Sequence, residues 1–398
     1  MMFTEAQQEL QQFLAPLTLE EFLDRVLHGG WRKIDSERGS ARTGLLGADP
    51  ESVLLAAVHL APKLTFHSAN PAGPPPELND VAGPADFQQR LRAFHERNYS
   101  VRFPDLRPLS APLDRLARAL EMLLHQPVTA SAFWSHGGMR APVHYDDHDL
   151  LVVQLRGTKR WHVSSGPSEL PNTWKAIPHS PPALGPHQSF EVSPGDVVYL
   201  PRGTWHSVDS EDKSLHLSIG FSPLTLRDAL TAALDHFSDL DRSWRSTVGS
   251  RLGYQLRASG LERLLPQVAE AAAQLANACR TPGFLASALL WRSSRTIAAL
   301  APLRAASVPD LDLDTELRQG ELAFCHLTAS PERIDISYPG GHLYVHRGAQ
   351  PCIEFIVNTS RFRVRDIPGE VSDEVRLSLA GQFVQIGLLK LAASGAGA

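Results

Sequence analysis

The spacing of apolar residues changes period twice along the chain. Over residues 17–30 (LTLEEFLDRVLHGG) it is helical, with Thr18 placed to cap the start and Gly29-Gly30 to end it. Residues 111–125 repeat the helical pattern through Leu113, Leu116, Leu120, Leu123 and Leu124. Between these helices, residues 69–86 are rich in Pro, Gly and Ala and predict an irregular connection. From about residue 127 the texture shortens to runs of β character: ASAFW, DLLVVQL, RWHV, SFEV, DVVYL and LHLSIGF. RGTK (156–159), PGD (194–196) and PRG (201–203) supply turns between them. Many short strands at this spacing predict a sandwich or barrel. After Pro223 helical spacing returns over 226–238 and 260–300. The last stretch predicts a helix near 313–326, strands near 333–346 and 352–358, and a helix near 372–393. No internal repeat interrupts this order.

Composition narrows the class. The 398 residues allow two or three domains, and 43% hydrophobic with 20% charged residues is ordinary for a globular protein. A formal net charge of −5 argues against a general grip on nucleic acid, which needs a basic surface. A local basic patch around Arg242, Arg245 and Arg251 is the exception. The three cysteines, Cys279, Cys325 and Cys352, are far apart and form no CxxC pair. A reducing, cytoplasmic setting without disulfides or a zinc site is therefore expected. The first residues, MMFTEAQQELQQFL, are amphipathic and acidic and lack the features of a signal peptide. No run of about 18 apolar residues predicts a membrane span.

The chemistry concentrates at His144-Tyr145-Asp146. In a strand, residues i and i+2 share a face, so His144 and Asp146 are expected side by side with Tyr145 opposite. His206, after the DVVYL run and the Pro-Arg-Gly turn, is the best third ligand. Two histidines and one carboxylate make a facial triad with open positions, which suits Fe(II) oxygen chemistry. An H-x-D triplet alone is a common chance pattern. Its position at the start of the β region, with a strand-turn-His downstream, gives it weight. His148 extends the stripe, but strand geometry separates it from His144 by about 13 Å, too far for one small ion. With Asp147 it reads as a strand-entry or substrate-side residue. His162 reads as packing or surface, Trp205 as a packing wall, and His136, His179 and His187 as loop residues. There is no G-x-S-x-G elbow, phosphate-binding loop or dinucleotide fingerprint.

The segments APVHYDDHDLLVVQLRGTKRWHV, SPGDVVYLPRGTWHSV and SLHLSIGF resemble the JmjC/cupin-type ribosomal oxygenases, which hydroxylate residues in ribosomal proteins. LTLEEFLDRVLHGGWRKI is similar to that family's opening helix. The likeness is strong over about 127–223 and weaker elsewhere. It implies an α+β fold with a double-stranded β-helix (jelly-roll) catalytic domain over 1–223. A helical dimerisation region over 224–305 and a winged-helix-like domain over 306–398 are expected to follow. It also implies Fe(II), 2-oxoglutarate and O2 as the reaction's components, a protein or peptide substrate, and a homodimer.

By the same resemblance Lys159, two residues before Trp161, pairs with the distal carboxylate of 2-oxoglutarate. The chemistry fits, since an anionic dicarboxylate in a semi-buried barrel needs a fixed cation. His216 is expected to hydrogen-bond the co-substrate. Alternation puts it on one face with Ser214 and Ser218, and a core histidine satisfied by a neighbour is the competing reading. Ser131 and Phe133 share a face on the strand before the ligand pair, and the resemblance places them near the pocket. Hydroxylation of a biosynthetic peptide or free amino acid, or lysine demethylation, would use the same site. A non-catalytic cupin-like binding module and a zinc or manganese cupin complete the alternatives.

Overall fold

In the computed structural model, which describes residues 2–36, 39–171, 183–248, 258–303 and 310–392, the alternating segments of the first half form two antiparallel sheets. The strands are β1 (Arg32–Ile34), β2 (Thr65–His67), β3 (Ser100–Phe103), β4 (Val128–Ser135), β5 (Met139–Arg140) and β6 (Asp149–Arg156). They continue with β7 (Lys159–Ser164), β8 (His187–Val192), β9 (Val197–Leu200), β10 (His206–Ser210) and β11 (Ser214–Phe221). The larger sheet has the order β1-β9-β6-β11-β4-β3-β2 and the smaller β5-β10-β7-β8. This is the jelly-roll arrangement of cupins, with sheets that do not close into a barrel. The six runs recognised in the sequence became β4, β6, β7, β8, β9 and β11. Strands β1, β2 and β3 lie upstream of the predicted β region. Each is three or four residues long, too short to carry a period of its own.

The space between the sheets has two characters. On one side Leu150, Val152, Val198 and Leu200 of the large sheet interlock with Trp161, Val163, Val192 and Val208 of the small one. Trp31 stacks on Phe190 at 4.9 Å beside this cluster. Each such side chain, fully buried, contributes about 1.5–3 kcal/mol. On the other side β2, β3, β4 and β11 turn His67, Ser100, Phe133, His216 and Ser218 into a cavity.

The predicted opening helix spans Leu19–His28. Thr18 and Glu21 form a capping box, and the Gly29 N–H donates to the Arg25 carbonyl at its end. Helix Ala111–Leu124 buries Leu113, Leu116 and Leu120 and packs on β4.

The described residues divide into two compact units, Met1–Pro223 and Leu224–Ala398. In the second, the predicted helical stretch 260–300 is two helices, Ala258–Cys279 and Pro282–Ala299. Pro282 accounts for the break, since it lacks the N–H that would continue the first helix. Two predictions near the C-terminus are corrected. The helix expected near 313–326 is instead strand Glu316–Gln319, a central strand paired with Arg361–Arg363 and Leu389–Leu391. Gly320 ends it, and a Cβ there would meet the Gly387 carbonyl at 2.5 Å. The strand expected near 352–358 is helix Gln350–Asn358, with Cys352, Ile353 and Ile356 buried. Its β-branched residues suggested a strand, but their 3.6-residue spacing against the core decides for helix. The last predicted helix is shorter, Asp373–Gln385. It stops ahead of Gly387, whose φ is 79°. Among the described residues no helix is long and apolar enough to cross a membrane.

Candidate active site

His144, Asp146 and His206 meet at the mouth of the cavity, although not as the strand pair that alternation predicted. Pro142 has no N–H to give a ladder, and His144 forms only an isolated bridge with His206. Their backbones exchange hydrogen bonds of 3.0 and 2.8 Å. Asp146 lies in the connection to β6, fixed by the Gly203 N–H donating to its carbonyl at 2.8 Å. Gly203 has φ 75°, and a Cβ on it would meet the backbone nitrogen of Leu170 at 2.7 Å. The turn Pro201–Gly203 is pinned by the buried Asp149 carboxylate. It accepts from the Arg202 N–H at 3.0 Å and from the Tyr199 hydroxyl at 2.6 Å.

One donor atom from each of the three residues falls within 4.8 Å of the others, a group that could hold one metal ion. The imidazoles are oriented for such a role. Nδ1 of His144 donates to the Pro142 carbonyl at 2.8 Å, and Nδ1 of His206 donates to the Thr204 carbonyl at 2.9 Å. Because a carbonyl only accepts, each Nδ1 carries the proton and leaves an Nε2 lone pair. Such outer hydrogen bonds hold ligating histidines in place. His206 Nε2 lies 3.7 Å from Asp146 Oδ2. Burial, with His144 adjacent, pushes His206 down to about 4, so the ring is neutral as a ligand must be. The donor set fits an octahedral divalent metal with three positions open.

Lys159 opens β7 and points inward, only 2% exposed. Its ammonium donates to Ser135 Oγ and to His216 Nδ1, each at 3.0 Å. Among the described residues no carboxylate pairs with it. Burial pushes it down to about 7. A buried cation without a counter-ion costs free energy unless an anion arrives. His216, on the inner face of β11, is neutral, held well below its ordinary value by burial and by Lys159. Since its Nδ1 accepts from Lys159, its Nε2 carries the proton and is a donor. Ser218 also lines the cavity, as the face-sharing pattern predicted. Ser131 is placed differently: its hydroxyl accepts from Arg102 Nη2 at 2.9 Å, and it is not among the residues lining the cavity.

Two polar lining residues, and one that holds Lys159, were not singled out in the sequence. His67 and Ser100 lie on β2 and β3, strands too short to be read. Ser135 shares a face with Ser131 and Phe133, so alternation could have found it. The remaining histidines stay outside the cluster. His148 Nδ1 pairs with Asp147 Oδ1 at 2.7 Å. His162 pairs with Ser189 and Asp209. His136 stacks on His95 at 4.1 Å, and His187 opens β8 rather than lying in a loop. Trp205 packs edge-on against Tyr145 and donates to Glu169. His179 and Arg251 lie outside the described residues.

Residues 109–229 match the JmjC domain family. Ribosomal oxygenase 2 of Rattus norvegicus is 30% identical over 142 residues, covering 34% of this chain and 30% of that protein. A bifunctional lysine-specific demethylase and histidyl-hydroxylase NO66 of Drosophila persimilis is 28% identical over 131 residues, covering 32% and 19%. The chain thus spans about a third or less of the length of these curated relatives. Among solved structures, Escherichia coli ycfD superposes with a TM-score of 0.53 at 16% identity, covering 94% of this chain and 98% of that one. YcfD, a ribosomal oxygenase in complex with cobalt and 2-oxoglutarate, gives 0.51 at 16% identity, covering 95% and 99%. Residues 109–229 thus match a JmjC domain, and the fold of the chain is that of the solved YcfD structures.

Proposed function

We propose that the protein is an Fe(II)- and 2-oxoglutarate-dependent oxygenase that hydroxylates an amino-acid side chain in a protein or peptide. One observation carries this reading: a buried lysine, without a carboxylate partner among the described residues, lines the same cavity as a His-Asp-His cluster. A cation and a facial triad together suit a chelating keto acid with a second carboxylate. The cobalt and 2-oxoglutarate bound by YcfD support the same pairing.

His144, Asp146 and His206 would hold the metal, their Nε2 atoms and carboxylate already aimed at a common point. When bound, Fe(II) supplies the positions for the keto acid and for O2 activation. Lys159 would neutralise the far carboxylate, and the His216 Nε2–H would add a donor beside it. Trp161 and Val208 line the cavity and limit water there, which strengthens those charged hydrogen bonds. Ser131 would contribute by orienting Arg102. The chain's work is positioning and exclusion; the metal does the difficult step.

The names of the relatives favour a ribosomal-protein substrate, with lysine demethylation as the second reading because one relative carries both names. Helix Leu226–Leu240 leaves Leu226, Leu230, Leu234 and Leu240 exposed. Such a stripe must be covered, which supports a homodimer through the helical region 224–305, ahead of a winged-helix-like domain over 306–398. The cytoplasm suits three free cysteines.

The test is anaerobic addition of Fe(II) and then 2-oxoglutarate, watching for the weak visible band of the chelate. Succinate formation on admitting O2 follows, then mass analysis of ribosomal proteins. A band and a gain of one oxygen are expected. Folded protein that binds zinc alone and gives no band would refute the oxygenase reading and favour a binding module.

A further inference from the structure

We infer that His67 is a co-substrate-binding residue, an imidazole that hydrogen-bonds the 2-oxoglutarate held between Lys159 and the metal cluster. This inference rests on the oxygenase reading above. His67 is the last residue of β2, the edge strand of the large sheet, and it lines the cavity. The other three imidazoles there have committed ring nitrogens: His144 to Pro142, His206 to Thr204 and His216 to Lys159. Among the described residues neither ring nitrogen of His67 has a hydrogen-bond partner. Both nitrogens are therefore free to meet a ligand that enters the cavity, and a ligand that displaced water there without bonding to them would leave a polar group unpaired.

Its position fits the ligand. Phe133 contacts two imidazoles: it stacks on His216 at 5.1 Å and meets His67 at a tilt at 5.8 Å, which places His67 one ring away from the partner of Lys159. His67 also feels both ends of the pocket. Burial pushes it down to about 3, with lesser contributions from His144 and Lys159 and an opposing one from Asp146. A neutral imidazole keeps one N–H to donate. The carboxylate and keto oxygens of 2-oxoglutarate are all acceptors, and bonds to charged acceptors are the strong ones.

The full-length protein with Fe(II) would be titrated anaerobically with 2-oxoglutarate, comparing wild type, His67→Leu and His67→Gln. His67→Leu is expected to bind about tenfold more weakly, and His67→Gln, which keeps a donor, to stay close to wild type. Equal affinity in His67→Leu would overturn the inference, as would equal weakening in both variants with a lowered melting temperature. A defect seen only with the protein substrate present would also overturn it. No band in wild type would instead mark failure of the oxygenase reading itself.

Discussion

The two sides of the same β sandwich were built to opposite rules. Where β6 and β9 face β7, β8 and β10, Val152, Val163, Val192 and Val198 are completely buried and apolar. Where β2, β3, β4 and β11 face β5, β7 and β10, the inward positions are His67, Ser100, His216, Ser218 and Lys159. One side gains stability from burying apolar surface. The other, among the described residues, leaves the buried Lys159 without a carboxylate and His67 without a hydrogen-bond partner, an arrangement that does not add to the stability of the apo protein. Stability and function therefore separate in space within one pair of sheets.

The largest test of this separation is Asp146→Ala. Loss of a ligand is expected to reduce metal content and succinate formation by more than about 100-fold, since losing only an outer partner of a ligand costs about 10- to 100-fold. Melting temperature of the apo protein should hardly change, and unaltered turnover would dismiss the ligand assignment.

Lys159→Met comes next. Co-substrate affinity should fall by about 100-fold, the scale of truncating one partner of a buried charge pair, while the apo protein becomes more stable. The sign follows from the lysine lying near 7 in the fold against an ordinary 10.5. Between those values the unfolded chain holds a proton that the folded one does not. Apo stability should therefore rise with pH from about 7 towards 10. Denaturant melts across that window should show this rise in wild type and lose it in Lys159→Met.

On the dry side, Leu200→Ala is expected to cost about 2–5 kcal/mol of stability by leaving a cavity. The visible-band titration should give unchanged 2-oxoglutarate affinity for whatever fraction remains folded. A selective loss of affinity would mean that the two sides are not separate. The smallest effect is expected for Ser131→Ala. Its hydroxyl accepts from Arg102 rather than lining the cavity, so its loss should act on the co-substrate only indirectly and change affinity by less than about fivefold, the scale of about 1 kcal/mol. A larger loss would place Ser131 in the pocket after all.

Periodicity alone determined much of this protein. The capped helix at Leu19–His28, the strands β4, β6, β7, β8, β9 and β11, and the shared face of His216 and Ser218 all follow from local spacing, because a period needs only neighbours in the chain. The candidate metal residues were legible as residue types around a strand-turn-His pattern, and Lys159 through a family likeness. Tertiary structure decided what no local period encodes. It placed His144 opposite His206 through one bridge and held Asp146 in a connection by the Gly203 N–H. It brought β2 and β3 from far upstream to complete the cavity wall, and with them His67 and Ser100. In the second unit it made a helix of the run expected as a strand near 352–358 and a central strand of the segment at 316–319. There the winning term was burial against partners distant in the chain, which local propensity is too weak to override.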